Sequence, residues 1–130
     1  MKTYNEAVME VLKSFGCLYS PATLLGQWAQ FVDWCTRGYR WDYSEYLNEL
    51  GVRNRLQLIL DSTTLQSYPE LEEFKRNLEP IDNRFKELLN PKIKLLNWTK
   101  WWEQGILKKG GKEYVEFMWR AHKIDVELAS

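Results

Sequence analysis

Three observations predict that this 130-residue chain is all-α, a single-domain bundle of five to seven helices spanning residues 1–130. Four helix-start signals punctuate it, apolar residues recur at helical steps after them, and no stretch of four or more residues alternates as a half-buried strand would. Its length and its 45% apolar composition suffice to bury a core without disulfide or metal staples.

Thr3-Tyr4-Asn5-Glu6 has the form of a capping box. Tyr4, Val8, Val11, Leu12 and Phe15 then mark one helical face, which ends near Gly16. Ser20-Pro21 opens a second helix with Ser as cap and Pro in the first turn. Its face is Leu24, Trp28, Phe31, Val32 and Cys35, and Gly38 stops it. The short connection predicts that these two helices pack as an antiparallel pair. Asp42-Tyr43-Ser44-Glu45 starts a third, through Tyr46, Leu47 and Leu50 and on to Leu56, Ile59 and Leu60. Gly51 either breaks that helix or is tolerated inside it at about 1 kcal/mol.

Ser62-Thr63-Thr64 reads as a loop. Leu71, Phe74, Leu78, Ile81, Phe85, Leu88 and Leu89 then give the strongest periodicity in the chain. Pro80 falls inside it and predicts a kink or two abutting helices. Asn90-Pro91 is a further cap-plus-Pro signal, expected to start a helix from Ile93 to about Trp102. Gly105, Gly110 and Gly111 bracket a lysine-containing loop before a last helix from about Lys112 to Ile124. The expected core is Val8, Val11, Leu12, Phe15, Leu24, Trp28, Phe31, Val32, Leu47, Leu50, Leu56, Ile59, Leu71, Phe74, Leu78, Phe85, Leu88, Phe117 and Met118.

The chemistry-bearing residues are few. The only histidine, His122, lies late in the last helix, where the dipole favours its charged form and no second histidine supports a metal. Cys17 and Cys35 are too far apart for a CxxC pair and read as buried free thiols. Gly105 to Lys112 departs from a phosphate-binding loop, because Gly111 stands where the lysine belongs and no strand is expected before it. An anion-holding basic turn and an ordinary solvated turn both remain open there. Glu70, Glu72 and Glu73 suit the first turn of a helix better than a hydrolytic pair. No enzyme activity, cofactor or metal site is expected. The start lacks the apolar core of a signal peptide, and no apolar run is long enough to span a bilayer, so a cytoplasmic protein without membrane contact is expected.

Eighteen basic residues balance eighteen acidic ones, which makes nucleic acid an unfavoured partner. The balance is uneven, since residues 91–130 carry eight Lys/Arg against five Asp/Glu. Against this plain background stand seven tryptophans. Trp28 belongs to a core face, whereas Trp34, Trp41, Trp101 and Trp102 fall off the main faces. Adjacent helical residues point about 100° apart, so Trp101 and Trp102 cannot share one core plane. Aromatic rings with basic neighbours suit a protein interface, rings at the centre and charges at the rim. The expected partner-binding residues are therefore Trp41, Trp101 and Trp102, with Lys108, Lys109 and Lys112 at the edge.

Tyr43-Ser-Glu-Tyr-Leu-Asn-Glu-Leu-Gly-Val-Arg53, then Ile81-Asp-Asn-Arg-Phe85, then Trp101-Trp102 before the Gly/Lys turn occur in an order that resembles a group of small helical bacterial proteins. Most of these have no known function, and some are similar to immunity proteins encoded beside polymorphic or contact-dependent toxins. The resemblance spans residues 39–118. It implies a non-enzymatic module that binds and neutralises a toxin. It also implies that Arg53, Asp82 and Arg84 are structural polar positions, such as a partly buried ion pair, with solvated helix charges as the alternative. The other functional expectation is a phage- or mobile-element-encoded regulator that contacts nucleic acid, or a nucleic-acid-bound complex, through the basic C-terminal third.

Overall fold

The computed structural model describes residues 2–129 and is mostly helical, as the sequence predicts. Helix α1 (Tyr4–Ser14) starts on the expected capping box. The Glu6 N–H donates to the Thr3 hydroxyl at 3.2 Å, and the Thr3 N–H donates to the Glu6 carboxylate at 3.3 Å. α2 (Pro21–Thr36) is capped by Ser20, and α3 (Tyr43–Asp61) by Asp42, which accepts from the Glu45 N–H at 3.0 Å. A 3₁₀ turn (Thr64–Ser67) leads into α4 (Glu70–Leu88), and Leu65 on that turn is fully buried.

Of the alternatives open at Gly51 the tolerated one is found, and at Pro80 there is one helix rather than two abutting ones. α3 runs unbroken through Gly51, and α4 runs unbroken through Pro80. Pro80 faces solvent, so the backbone acceptor it leaves without an N–H can bond water.

Beyond α4 the expected helix from Ile93 to Trp102 is replaced by strand β1 (Leu89–Lys94), a loop and a single turn α5 (Trp101–Gln104). Asn90 does make a local cap-like bond, accepting from the Lys92 N–H at 2.9 Å, but long-range pairing decides the conformation. β1 lies antiparallel to β2 (Gly105–Leu107), and Pro91 is tolerated because β1 has a partner on one side only. β3 (Lys109–Gly110) continues from β2 and pairs in parallel with β4 (Glu127–Leu128). Between β3 and β4 lies α6 (Lys112–His122), which ends two residues earlier than expected. The glycine-bracketed segment is thus a pair of short strands rather than a flexible loop.

Packing follows α3 and α2. α2 lies against α3 and α4, while α1 lies against α3 and the 3₁₀ turn. The expected close pairing of α1 with α2 is therefore corrected: α1 spends its apolar face on α3. Most expected core residues are buried, with Val11, Leu47, Leu88 and Phe117 half-buried. Phe15 is the exception, 66% exposed. The reason is local. Phe15 is the C-cap of α1, the last position before Gly16 takes a φ of +80° and the Gly16 and Cys17 N–H groups bond back to Lys13 and Leu12 in a Schellman closure. The core also holds aromatics outside the expected core: Tyr39, Tyr43, Tyr46, Trp102 and Tyr114 are all buried.

Gly111 joins the C-terminal segment to the rest. Its N–H donates to the Tyr39 carbonyl at 2.7 Å, and a Cβ there would stand 2.4 Å from that same oxygen. A Cβ at Gly51 would meet nothing within 4 Å. Gly111→Ala is therefore expected to cost about 1–3 kcal/mol through forced backbone displacement. Gly51→Ala is expected to add up to about 1 kcal/mol. Denaturant melts of both variants check this, and equal effects of the same sign would refute the packing described.

Candidate partner-binding surface

The interior behind the surface is organised by one buried ion pair. Arg53 on α3 reaches Asp82 on α4 through two parallel bonds, Nε to Oδ1 and Nη2 to Oδ2, each 2.9 Å. The Trp28 indole N–H on α2 also donates to Oδ1 at 2.9 Å, and the remaining Arg53 nitrogen donates to Gln57 at 2.9 Å. The Trp102 ring covers the guanidinium at 4.4 Å, and its own N–H donates to Asn54 at 2.9 Å. Arg84 is exposed and stands apart from this node. The Asp82 carboxylate already accepts three donors under cover, so it is a structural group rather than a base waiting for substrate. Among the described residues, no three His, Cys, Asp or Glu side chains gather as a metal site, and no helix is long and apolar enough to cross a membrane.

This node decides where the expected contact residues lie. Trp102 is 2% exposed and is part of the core, which corrects its expected place at an interface. Trp101 is half-buried, with Phe85 at 6.1 Å, Trp102 at 5.6 Å and the Lys86 ammonium 4.7 Å from its ring centroid. Trp41 is on the surface, 38% exposed, and its ring neighbours are Trp34 and Tyr39 rather than Trp101 or Trp102. Lys108, Lys109 and Lys112 are exposed, and Lys109 stands 3.9 Å from Glu127. The Gly111–Tyr39 bond places the lysine turn beside the Tyr39-Arg40-Trp41 segment, so these two parts of the expected surface do adjoin. His122 closes α6 on the surface, its ring edge-on to Tyr43 at 5.7 Å, and both cysteines are free and buried.

The structure adds residues that sequence reasoning did not place here. Trp34 is half-buried and packs on Trp41 at 5.3 Å, while the Arg40 guanidinium lies 5.9 Å from the Trp41 ring. Beside Trp34, a cleft of about 380 Å³ opens between α2 and α3, lined by Tyr19, Gln27, Gln30, Trp34, Glu49 and Arg55 among others. Tyr19 is half exposed and follows the strongly exposed Phe15 and Leu18 in the α1–α2 connection. Trp34 had a signal, its position off the apolar face of its helix. Tyr19 and Glu49 had none, since only the crossing of α2 over α3 brings them together.

Glu49 is the unusual group in the cleft. Burial raises its carboxyl above the ordinary range, the hydrogen bond from Tyr39 opposes this, and the charge of Glu45 one turn away adds to the rise. Burial and the same bond push the Tyr39 hydroxyl well up, so it remains a protonated donor. Another cleft, of about 540 Å³, lies where the first turns of α1, α2 and α4 meet and is walled by Tyr4, Met9, Pro21, Leu25 and Phe74. Its acidic residues, Glu70 and Glu73, are those of the first turn of α4, already matched to the helix dipole.

Compared with known proteins, the chain matches no family model, no curated protein and no solved structure.

A carboxyl whose folded pKa is raised binds its proton more tightly in the native state. It therefore favours folding at low pH and opposes it as pH rises through the raised value. Glu49→Gln removes that penalty while keeping an acceptor for Tyr39. It is expected to leave the melting temperature at pH 7 unchanged or raised, and to flatten the loss of stability between about pH 4 and pH 7. A clear fall in melting temperature at pH 7 would make Glu49 a structural support.

Proposed function

We propose that this protein is a non-enzymatic protein-binding module, an immunity protein that binds and neutralises a cognate bacterial toxin. The observation that carries the proposal is the adjoining aromatic surface of Tyr19, Trp34 and Trp41, whereas Trp119, though 55% exposed, stands apart on α6. Large, stiff rings held partly exposed are poor for solubility and good for binding, because they bury area at little entropic cost. Phe15 and Leu18, just before Tyr19 in the chain, are exposed apolar side chains, and Arg40 supplies charge near Trp41. The ordered sequence segments that resemble immunity proteins support the toxin as the class of partner.

The contact surface proposed differs from the sequence expectation in its centre. Trp41 and the lysine turn stay, Trp34 and Tyr19 enter, and Trp101 and Trp102 are assigned to the support behind it. The test is co-expression with the product of the neighbouring open reading frame, read as growth of the bacterial host and as affinity of the purified pair. The neighbour alone should arrest growth, and this chain should restore it. Trp41→Ala should lose about 2 kcal/mol or more of binding with its melting temperature nearly unchanged. A neighbour without toxicity, or a toxic one that this chain fails to bind, would overturn the proposal. Binding to nucleic acid instead, with affinity falling steeply as salt rises, would favour the regulatory alternative.

A further inference from the structure

Glu49 is difficult to explain as part of the bundle. It is half-buried on α3, in the lining of the α2–α3 cleft that Trp34 and Val52 also line, and its hydroxyl donor is Tyr39. Among the described residues it has no cation within ion-pair distance, and Glu45 lies on the same helix one turn before it. Arg55, which also lines the cleft, does not pair with it. Elsewhere the protein treats a shielded carboxylate differently. Asp82 has an arginine fork, an indole N–H and an aromatic cover. A carboxylate withdrawn from water is normally paired.

The cleft around Glu49 has the parts to supply such a pair from outside. It is wide enough for one long side chain, at about 380 Å³, and is open to solvent, with Tyr19 and Trp34 in its lining. Trp34 lines the same cleft as the carboxylate, and an indole together with a carboxylate favours a flat cation over a neutral group. Gln27, Gln30 and Asn48 add amide groups able to bond the outer nitrogens of a guanidinium or the partner's main chain. Arg55 can bond a main-chain carbonyl of the same segment.

We infer that the α2–α3 cleft is a socket for a cationic side chain of the partner protein, an arginine above all, with Glu49 as its counter-ion and Trp34 as its wall. The occupant is set by charge complementarity: a half-buried carboxylate with no cation paired to it, lining one cleft with an indole. Arginine is favoured over lysine because its planar fork can bond the carboxylate in parallel and stack on the ring at once. The inference rests on the proposed role as a protein-binding module, because it names the chemistry of the anchor that such a partner would insert. It also gives the charge of Glu49 a role beyond accepting from Tyr39, for which the neutral amide of glutamine would also offer an oxygen.

The test uses the folded chain with small probes, so that it does not depend on the toxin. N-acetyl-arginine methylamide is titrated into isotope-labelled protein at pH 7, with the neutral, near-isosteric N-acetyl-citrulline methylamide as comparison. The arginine probe should shift the Trp34 indole N–H and the side-chain amides of Gln27, Gln30 and Asn48 saturably. The citrulline probe should bind at least about tenfold more weakly, the loss expected when a charge-assisted pair becomes neutral. In Glu49→Gln the two probes should become indistinguishable. Equal binding of both probes by the wild-type chain would overturn the socket. So would the absence of any saturable shift, as when Arg55 closes onto Glu49 in solution, and neither result needs a variant to fold. Arginine binding here without protection from the neighbouring gene product would leave the socket standing and remove the toxin. Protection without arginine binding would do the reverse.

Discussion

The Arg53–Asp82 pair is the constraint on which the rest of the molecule depends. Withdrawing two charges from water costs several kcal/mol each, and only close, saturated geometry repays it. Here the fork from Arg53 and the indole N–H of Trp28 fill the carboxylate, while Gln57 and the Trp102 ring complete the guanidinium. Trp28 is on α2, Arg53 on α3, Asp82 on α4 and Trp102 on α5. Four elements therefore share one node, and a slip of any helix by one turn would strand a charge. A purely apolar core would tolerate such a slip far better, because leucines are interchangeable where a bidentate pair is not.

Around the node the rings pack edge to face and offset. Trp28 meets Phe31 and Phe85, Phe31 meets Tyr39 and Tyr46, and Tyr46 meets Tyr114. This network runs from the ion pair out to Tyr39, whose ring touches Trp41 and whose hydroxyl bonds Glu49. The proposed contact surface is thus the outer end of a rigid aromatic chain rather than a flexible flap. Rigidity matters for a binder, since side chains already held in place lose little entropy when a partner covers them.

Local signals made the helices legible and left the C-terminal segment obscure. Thr3, Ser20 and Asp42 cap the helices that their spacing predicts, because a cap is a bond between near neighbours in the chain. Asn90-Pro91 carries the same kind of signal and forms a strand, because its pairing partner lies at Gly105–Leu107 and no local rule reports that. Gly110 and Gly111 look like a loose turn in sequence and act as a close joint, since what they approach is Tyr114 and the Tyr39 carbonyl. The surface was legible in part. Trp34 and Trp41 stand off the helical faces, but the burial of Trp102 depends on Arg53 and Asn54, some fifty residues earlier. Arg53, Asp82 and Arg84 are expected together as structural polar positions or as solvated charges, and sequence does not say which would pair: Arg53 and Asp82 form the ion pair, whereas Arg84 belongs to the solvated surface.

The central claim is that Arg53 and Asp82 act as one unit that fixes the helices. A double-mutant cycle with Arg53→Met and Asp82→Asn, measured by denaturant unfolding, tests it most directly. Each single change leaves a buried charge without its partner and should cost about 3–5 kcal/mol. The double variant should be less damaged than the sum by about 2 kcal/mol or more, since it removes both charges together. Additive losses, or single losses below about 1 kcal/mol, would contradict the account.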